Sequence, residues 1–413
     1  MFKLFANATY NQVKTLTKPL LGYPLTTPPL ASATLDMDDV QIAREALRAD
    51  CRSWHDEQPV NEYETKFKTW NGSGFAFAFM GARVALSAAI YALDLKAGDE
   101  VILPGYTCVV VPNAFQYTGI TPQYCDIELD TYGLDASKLT QKISSKTKAI
   151  VLHHLYGLVS RDYEKIISIC RDHNCAIIED CAQSTGAVYK NRRIGNYGDI
   201  AVYSSEQTKV FSTVQGGIAT TNNATLAQRL ADYAQQAPHP SDDHIARQLH
   251  TVIFSYASYK DPFRWIKADL MSILHANKNI ITTTTEEVNG VKPAHYGCKM
   301  PAPIARLGIN QLKKIDQYNT KRRQTANRWD AWCAANGYAK PVVIADSEPV
   351  FLRYPVLVEP EKKKNLQWAH KELGVIPGVW YSSHIHPSSK PVTGCPNADR
   401  AVAQCINFPG LIV

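Results

Sequence analysis

Between residues 75 and 221 short apolar runs alternate with segments of helical period. Phe75–Met80, Val101–Pro104, Pro122–Ile127, Ala149–Leu155, Ala176–Ile178, Ile200–Ser204 and Ile218–Thr221 read as strands, several of them with no polar break, as in strands covered on both faces. Arg83–Leu95, Val109–Tyr117, Ala136–Lys142, Arg161–His173 and Ala224–Gln235 read as the helices between and after them. Strands alternating with helices predict an α/β fold with a mostly parallel seven-stranded sheet. Asp36–Ala49 and Val60–Trp70 read as two preceding helices. Residues 1–35, with Tyr23-Pro24 and Pro28-Pro29, read as an irregular arm, because proline resists both helix and sheet.

Residues 236–300 interrupt the pattern, and a boundary near 275 gives a large domain over 1–275 and a small C-terminal α+β domain over 276–413. Within the second, Ile309–Trp329 reads as a helix and Pro349–Leu357 and Val375–Val379 as strands. At 413 residues the chain is long enough for this division.

The net charge of +6 is mild and spread along the chain, so nucleic acid is not implied. Ten cysteines lie scattered with no C-x-x-C pair, which signals neither zinc nor a redox dithiol, and no metal is expected. His384-x-His386 lacks a carboxylate partner nearby and is poor evidence for one. The first 25 residues show no signal-peptide core, and no stretch approaches the ~20 apolar residues of a membrane span. A cytoplasmic protein is the expectation.

The candidate chemistry sits at strand ends, where open α/β sheets place their ligands. Glu179, Asp180 and Gln183 follow one strand; Ser204, Ser205, Thr208 and Lys209 follow another. An acid and an amine so placed suit pyridoxal 5'-phosphate, whose ring nitrogen needs a carboxylate and whose aldehyde needs an amine. Lys209 is the candidate amine and Asp180 its counterpart; Asp180 is also a good helix cap. Gly81-Ala82-Arg83, a glycine-containing turn from strand into helix, offers backbone N–H groups and a positive dipole end to a phosphate.

These residues carry a resemblance. Glu179-Asp180-Cys181-Ala182-Gln183, Gly198-Asp199-Ile200, Ser204-to-Lys209 and Gly216-Gly217 fall in the order and near the spacing of the DegT/DnrJ/EryC1/StrS family of pyridoxal-phosphate-dependent sugar aminotransferases. The resemblance implies an aspartate-aminotransferase-like (fold type I) large domain. It also implies a homodimer with the active site at the subunit interface. Its members transfer an amino group, here expected from L-glutamate, to a keto-sugar, expected to be nucleotide-linked. It implies that Lys209 and Asp180 are catalytic, that Gln183 contacts the ring hydroxyl, and that Ser204, Gly81, Ala82 and Arg83 hold the phosphate. Thr107 and Cys108 would flank the ring, and the His384–His386 segment would form a loop at the mouth of the substrate site.

Three departures stand out. Cys108 occupies the place of a stacking aromatic, Tyr296-Gly297-Cys298-Lys299-Met300 lacks an expected asparagine, and Glu206-Gln207 replace the usual residues before Lys209. His153, at a strand end, reads equally as a site contact or a structural histidine. Arg192 and Arg193, or Lys321 to Arg323, are candidates for holding a substrate diphosphate. Two alternatives remain open from sequence: a cofactor-binding protein that no longer turns over, and a sugar dehydratase on the same scaffold, against which Lys209 argues. The family normally continues past Asn407-Phe408-Pro409, so a trimmed small domain is a further expectation.

Overall fold

The computed structural model describes residues 21–24, 27–259, 283–293 and 296–412. Seven strands form the main sheet: β1 (Phe75–Phe79), β2 (Glu100–Pro104), β3 (Thr121–Cys125), β4 (Thr147–His153), β5 (Ala176–Asp180), β6 (Ile200–Ser204) and β7 (Gly217–Thr221). Their order is β1-β7-β6-β5-β4-β2-β3. All pairings from β6 to β3 are parallel, and β7 alone runs antiparallel to both its neighbours. Each of the seven expected strands is present within a few residues of its expected ends. Continuous apolar runs such as Ile150–Leu152 are legible because helices bury both sheet faces and leave no solvent side to alternate with.

Helices α1 (Met37–Arg48) and α2 (Gln58–Asn71) precede the sheet; α3 (Ala82–Ala92), α4 (Val110–Gln116), α5 (Tyr163–Asp172) and α6 (Ala224–Gln236) follow strands. α3 buries Val84, Ala85, Leu86, Ala88, Ala89, Ile90 and Ala92. Its small side chains let it pack closely on β1, β6 and β7. A helix that the sequence reading did not anticipate spans Asp242–Tyr259. Ile245, Leu249 and Val252 supply its i, i+4, i+7 stripe and are fully buried, but further apolar residues off that stripe, Ile253, Phe254 and Tyr256, blurred the period.

The expected helix Ile309–Trp329 is two helices, α7 (Ala302–Leu312) and α8 (Ile315–Asn336). They part at Lys313-Lys314, where the Lys314 ammonium turns back to the acidic start of α1, 2.8 Å from Asp38 and 2.7 Å from Asp39. α7 packs on α1 and α2. Beyond α8, β8 (Arg353–Leu357) pairs antiparallel with β9 (Cys405–Pro409). Trp329 stacks on Phe408 with 4.4 Å between ring centroids, at the centre of this region's core. Val375–Val379 is not a strand: Gly378 makes one bridge to Asn407, and Pro377 has no N–H with which to extend it. Position 275 and the second half of the Phe254–Trp265 stretch lie outside the described residues. No helix among the described residues is long and apolar enough to cross a membrane.

Candidate active site

Parallel pairing sets the site. The register places His153 beside Asp180 and Asp180 beside Val202, so β4, β5 and β6 end together with His153, Asp180 and Ser204 along one edge. Against that edge lies a cavity of about 280 Å³. Lys209, Asp180, Gln183, Ser204, Gly81, Ala82, Arg83, Thr107 and Cys108, scattered over 129 positions from 81 to 209, all line it. Sequence reasoning missed Trp380, Tyr381 and Thr283 in its lining; His386, also there, belongs to the segment expected at the mouth of the site.

Two acids of one motif divide their work. Glu179 is fully buried and points away from the crevice. Its carboxylate accepts from Gly195 N (2.8 Å), Tyr197 N (2.8 Å), Gly198 N (2.5 Å) and the Tyr163 hydroxyl, with His154 Nε2 at 3.5 Å. Burial pushes this carboxyl up, but His154 and these donors outweigh it and hold it below its ordinary value. Glu179 therefore fastens the loop that carries Gly198-Asp199, and Asp199 accepts from Ile177 N at 2.7 Å. The neighbouring Asp180 faces the cavity, with Oδ1 accepting from Ala182 N at 3.0 Å.

Lys209 Nζ has no hydrogen-bond or ion-pair partner among the described residues and lies over the Trp380 ring, 5.1 Å from the centroid. Glu206, three residues earlier on the same loop, uses its Oε2 to accept from the backbone N–H (2.9 Å) and hydroxyl of Thr208. Ser204 is buried, and its Oγ accepts weakly from Glu206 N at 3.3 Å.

At the start of α3, Val84 N and Ala85 N bond back to the Gly81 carbonyl, which leaves the N–H groups of Ala82 and Arg83, two cavity-lining residues, as the open donors of the first turn. β7 passes so close that a Cβ at Gly217 would lie within 2.5 Å of Ala82 N, Gly81 C and Gly81 O. The second glycine of the Gly216-Gly217 pair is thus required by backbone approach. Arg83 is ion-paired with the buried Glu287, which is held in a capping box with Thr284. Tyr296 reaches the same turn, donating to the Arg83 carbonyl at 3.1 Å, while Lys299 turns away to Glu57.

Cys108 lies among Lys209, Arg83 and Asp180; burial raises its thiol, the two cations pull it down and Asp180 pushes it up, with a net rise. Thr107-Cys108 pairs in parallel with Ile385-His386, which brings His386 to the cavity. Burial pushes His386 down to about 4, so it is neutral at pH 7. His384 instead meets Asp399 at 2.9 Å. Gln183 is committed at both ends, accepting from Tyr156 N (2.9 Å) and donating to the Tyr381 hydroxyl (2.8 Å). His153 lines the cavity yet donates from Nε2 to the Tyr132 carbonyl at 3.1 Å, and burial pushes it down to about 4.

The arginines considered for a diphosphate lie elsewhere. Arg193 covers the Trp70 ring at 4.3 Å, Arg192 covers Tyr197, and Arg323 bonds to Thr320. Arg322 is buried, donating to Asn319 and to the Val210 carbonyl. None of them, nor Lys321, lines the cavity.

The donor set fits pyridoxal phosphate: an unpaired amine, a carboxylate at a neighbouring strand end, and a helix start cleared of side-chain bulk by Gly81 and Gly217. A family model described as the DegT/DnrJ/EryC1/StrS aminotransferase family matches residues 34–411. The chain is 37% identical over 358 residues to GDP-perosamine synthase of Caulobacter vibrioides, covering 85% of this chain and 83% of that one. It is 38% identical over 177 residues to GDP-perosamine synthase of Escherichia coli O157:H7, a match spanning 43% of this chain and about half, 48%, of that relative. The X-ray structure of an aminotransferase from Psychrobacter cryohalolentis superposes with a TM-score of 0.71 at 24% identity, covering 94% and 95% of the two chains. The architecture is fold type I.

Proposed function

From the premise that this chain belongs to the DegT/DnrJ/EryC1/StrS aminotransferase family, a pyridoxal-phosphate-dependent family, we propose that it transfers an amino group from L-glutamate to a nucleotide-linked keto-sugar in amino-sugar or polysaccharide biosynthesis. The observation that carries this reading is the meeting, in one cavity, of the unpaired Lys209 amine, the Asp180 carboxylate and the open first turn of α3. Bound pyridoxal phosphate supplies an aldehyde and an electron-withdrawing ring. Asp180 holds the proton on the ring nitrogen, and its charge keeps the ring electron-poor. Ser204 and the N–H groups from Gly81 to Arg83 bind the phosphate, with Thr107 and Cys108 alongside the ring. Gln183, clamped between Tyr156 N and the Tyr381 hydroxyl, would have one N–H left to donate to the ring hydroxyl. Lys209 presents a nucleophilic amine and then carries a proton at Nζ to and from the substrate carbon.

We place the cofactor-binding unit at 1–275 and the small unit at 276–413. The assembly we propose is a cytoplasmic homodimer with the site at its subunit interface. The test is absorbance spectroscopy on the purified protein. A visible band from bound cofactor, lost in Lys209→Ala and converted on adding L-glutamate, is the expected result. A native protein that takes up no cofactor, or whose band no amino donor converts, overturns the proposal.

A further inference from the structure

Amines that act as nucleophiles in buried sites usually rest on a carboxylate or carbonyl. Lys209 does neither. The two acids at the cavity engage backbone N–H groups, Asp180 that of Ala182 and Glu206 that of Thr208. What meets Nζ is an indole face. The same ring takes a second cation: Arg353 Cζ lies 5.0 Å from the Trp380 centroid. Arg353 is 4% exposed and has no ion-pair partner among the described residues; one guanidinium nitrogen donates to the Leu30 carbonyl, and Nε has no acceptor. Two cations thus share one aromatic ring, and the Glu206 carboxylate acts on Arg353 through its charge.

Resting on the reading of Lys209 as the reactive amine, we propose that Trp380 is its positioning residue: the indole face holds the Lys209 ammonium in the cavity, and Arg353, anchored on Leu30, fixes the indole. The chemistry suits an amine that must alternate between free and covalently bound. A carboxylate in this place would hold the ammonium through a strong, proton-accepting contact. An indole attracts the cation without taking its proton and releases it at small cost. The backbone leaves room for the test, because the bonds that fix residue 380 from Tyr156 and from Asn407 (2.8 Å) go to its carbonyl oxygen, which a side-chain substitution leaves in place.

Trp380→Phe keeps a ring face and Trp380→Leu removes it. In cofactor-free protein, trace acetylation with acetic anhydride at fixed pH, read at Lys209 by mass spectrometry against the exposed lysines, reports how firmly the ammonium is held. Losing a contact of this kind raises Lys209 labelling about two- to fivefold in Trp380→Leu, while Trp380→Phe stays within about twofold of native. Cofactor affinity, titrated by absorbance, weakens in the same order. Trp380→Met, which also lacks a ring, serves if the leucine variant does not fold. Lys209 labelling that is native in the leucine or methionine variant, or a phenylalanine variant indistinguishable from them, overturns the proposal. A native protein that binds no cofactor sinks the aminotransferase reading instead, and the labelling contrast still decides the role of Trp380.

Discussion

Gly217→Ala probes the narrowest point of the site. The added methyl would sit within 2.5 Å of Ala82 N, Gly81 C and Gly81 O, all backbone atoms at the start of α3. Side chains can rotate away from such a contact; a helix start bonded to its own next turn through Gly81 O must move as a unit. Ordinary contact requires each atom to retreat by about 1 Å, and overpacking of this sort costs roughly 1–3 kcal/mol. For a large domain that is a fall in Tm of roughly 2–4 °C per kcal/mol. The displaced Ala82 N–H belongs to the proposed phosphate seat, and losing one hydrogen bond to a charged group, about 1.5–3 kcal/mol, weakens cofactor binding by roughly tenfold or more. Circular-dichroism melting and cofactor titration read the two effects separately. Gly216→Ala is the comparison: its methyl meets the Ser205 and Thr213 hydroxyls, which can turn, so it disturbs the seat less. A Gly217→Ala protein with native Tm and native affinity refutes the close approach of β7 to α3.

Two further outcomes follow from buried ionisable groups. Glu179→Ala strips the acceptor from three backbone N–H groups and the Tyr163 hydroxyl and leaves His154 without its carboxylate, so chemical denaturation shows a loss of roughly 3–5 kcal/mol; a loss below about 1 kcal/mol contradicts the network. His153 falls from 6.5 to about 4 on folding, chiefly through burial, so the unfolded chain binds the proton more readily. The stability that neutral His153 contributes is complete above pH 6.5 and is lost as pH falls toward 4, about 3 kcal/mol in all. The stability difference between native protein and His153→Gln accordingly shrinks over that window, and a difference that stays constant from pH 7 to 4 contradicts the assignment.

The sheet was legible in the sequence because a parallel strand covered on both faces writes itself as an uninterrupted apolar run, as in Ile150–Leu152. The strand-end residues were legible for the same reason, since Asp180 and Ser204 follow such runs directly. What stayed hidden depends on partners far along the chain. Trp380 and Tyr381 reach the cavity only because Ile385-His386 pairs with Thr107-Cys108 some 280 residues earlier, a two-residue pairing with no pattern of its own. The break between α7 and α8 depends on Lys314 meeting acids at the start of α1. Glu179 and Asp180 look alike in sequence, and the alternation of side chains along β5 sends one into the loop beneath and the other to the crevice.

The stretch before α1 ties the earliest part of the described chain to some of the latest. Ser32 N donates to the Gln207 carbonyl at 2.5 Å, two residues from Lys209, and the Leu30 carbonyl accepts from Arg353. During synthesis the first of these anchors emerges about 175 residues after its partner, and the second more than 320 residues after. A ribosome-bound chain ending short of β8 therefore carries only half of this clasp: Ser32 and Gln207 are both present, and the Leu30 carbonyl lacks Arg353. The lysine loop is thus tied to the leading stretch first, and Arg353 closes on Leu30 only once β8 has been made.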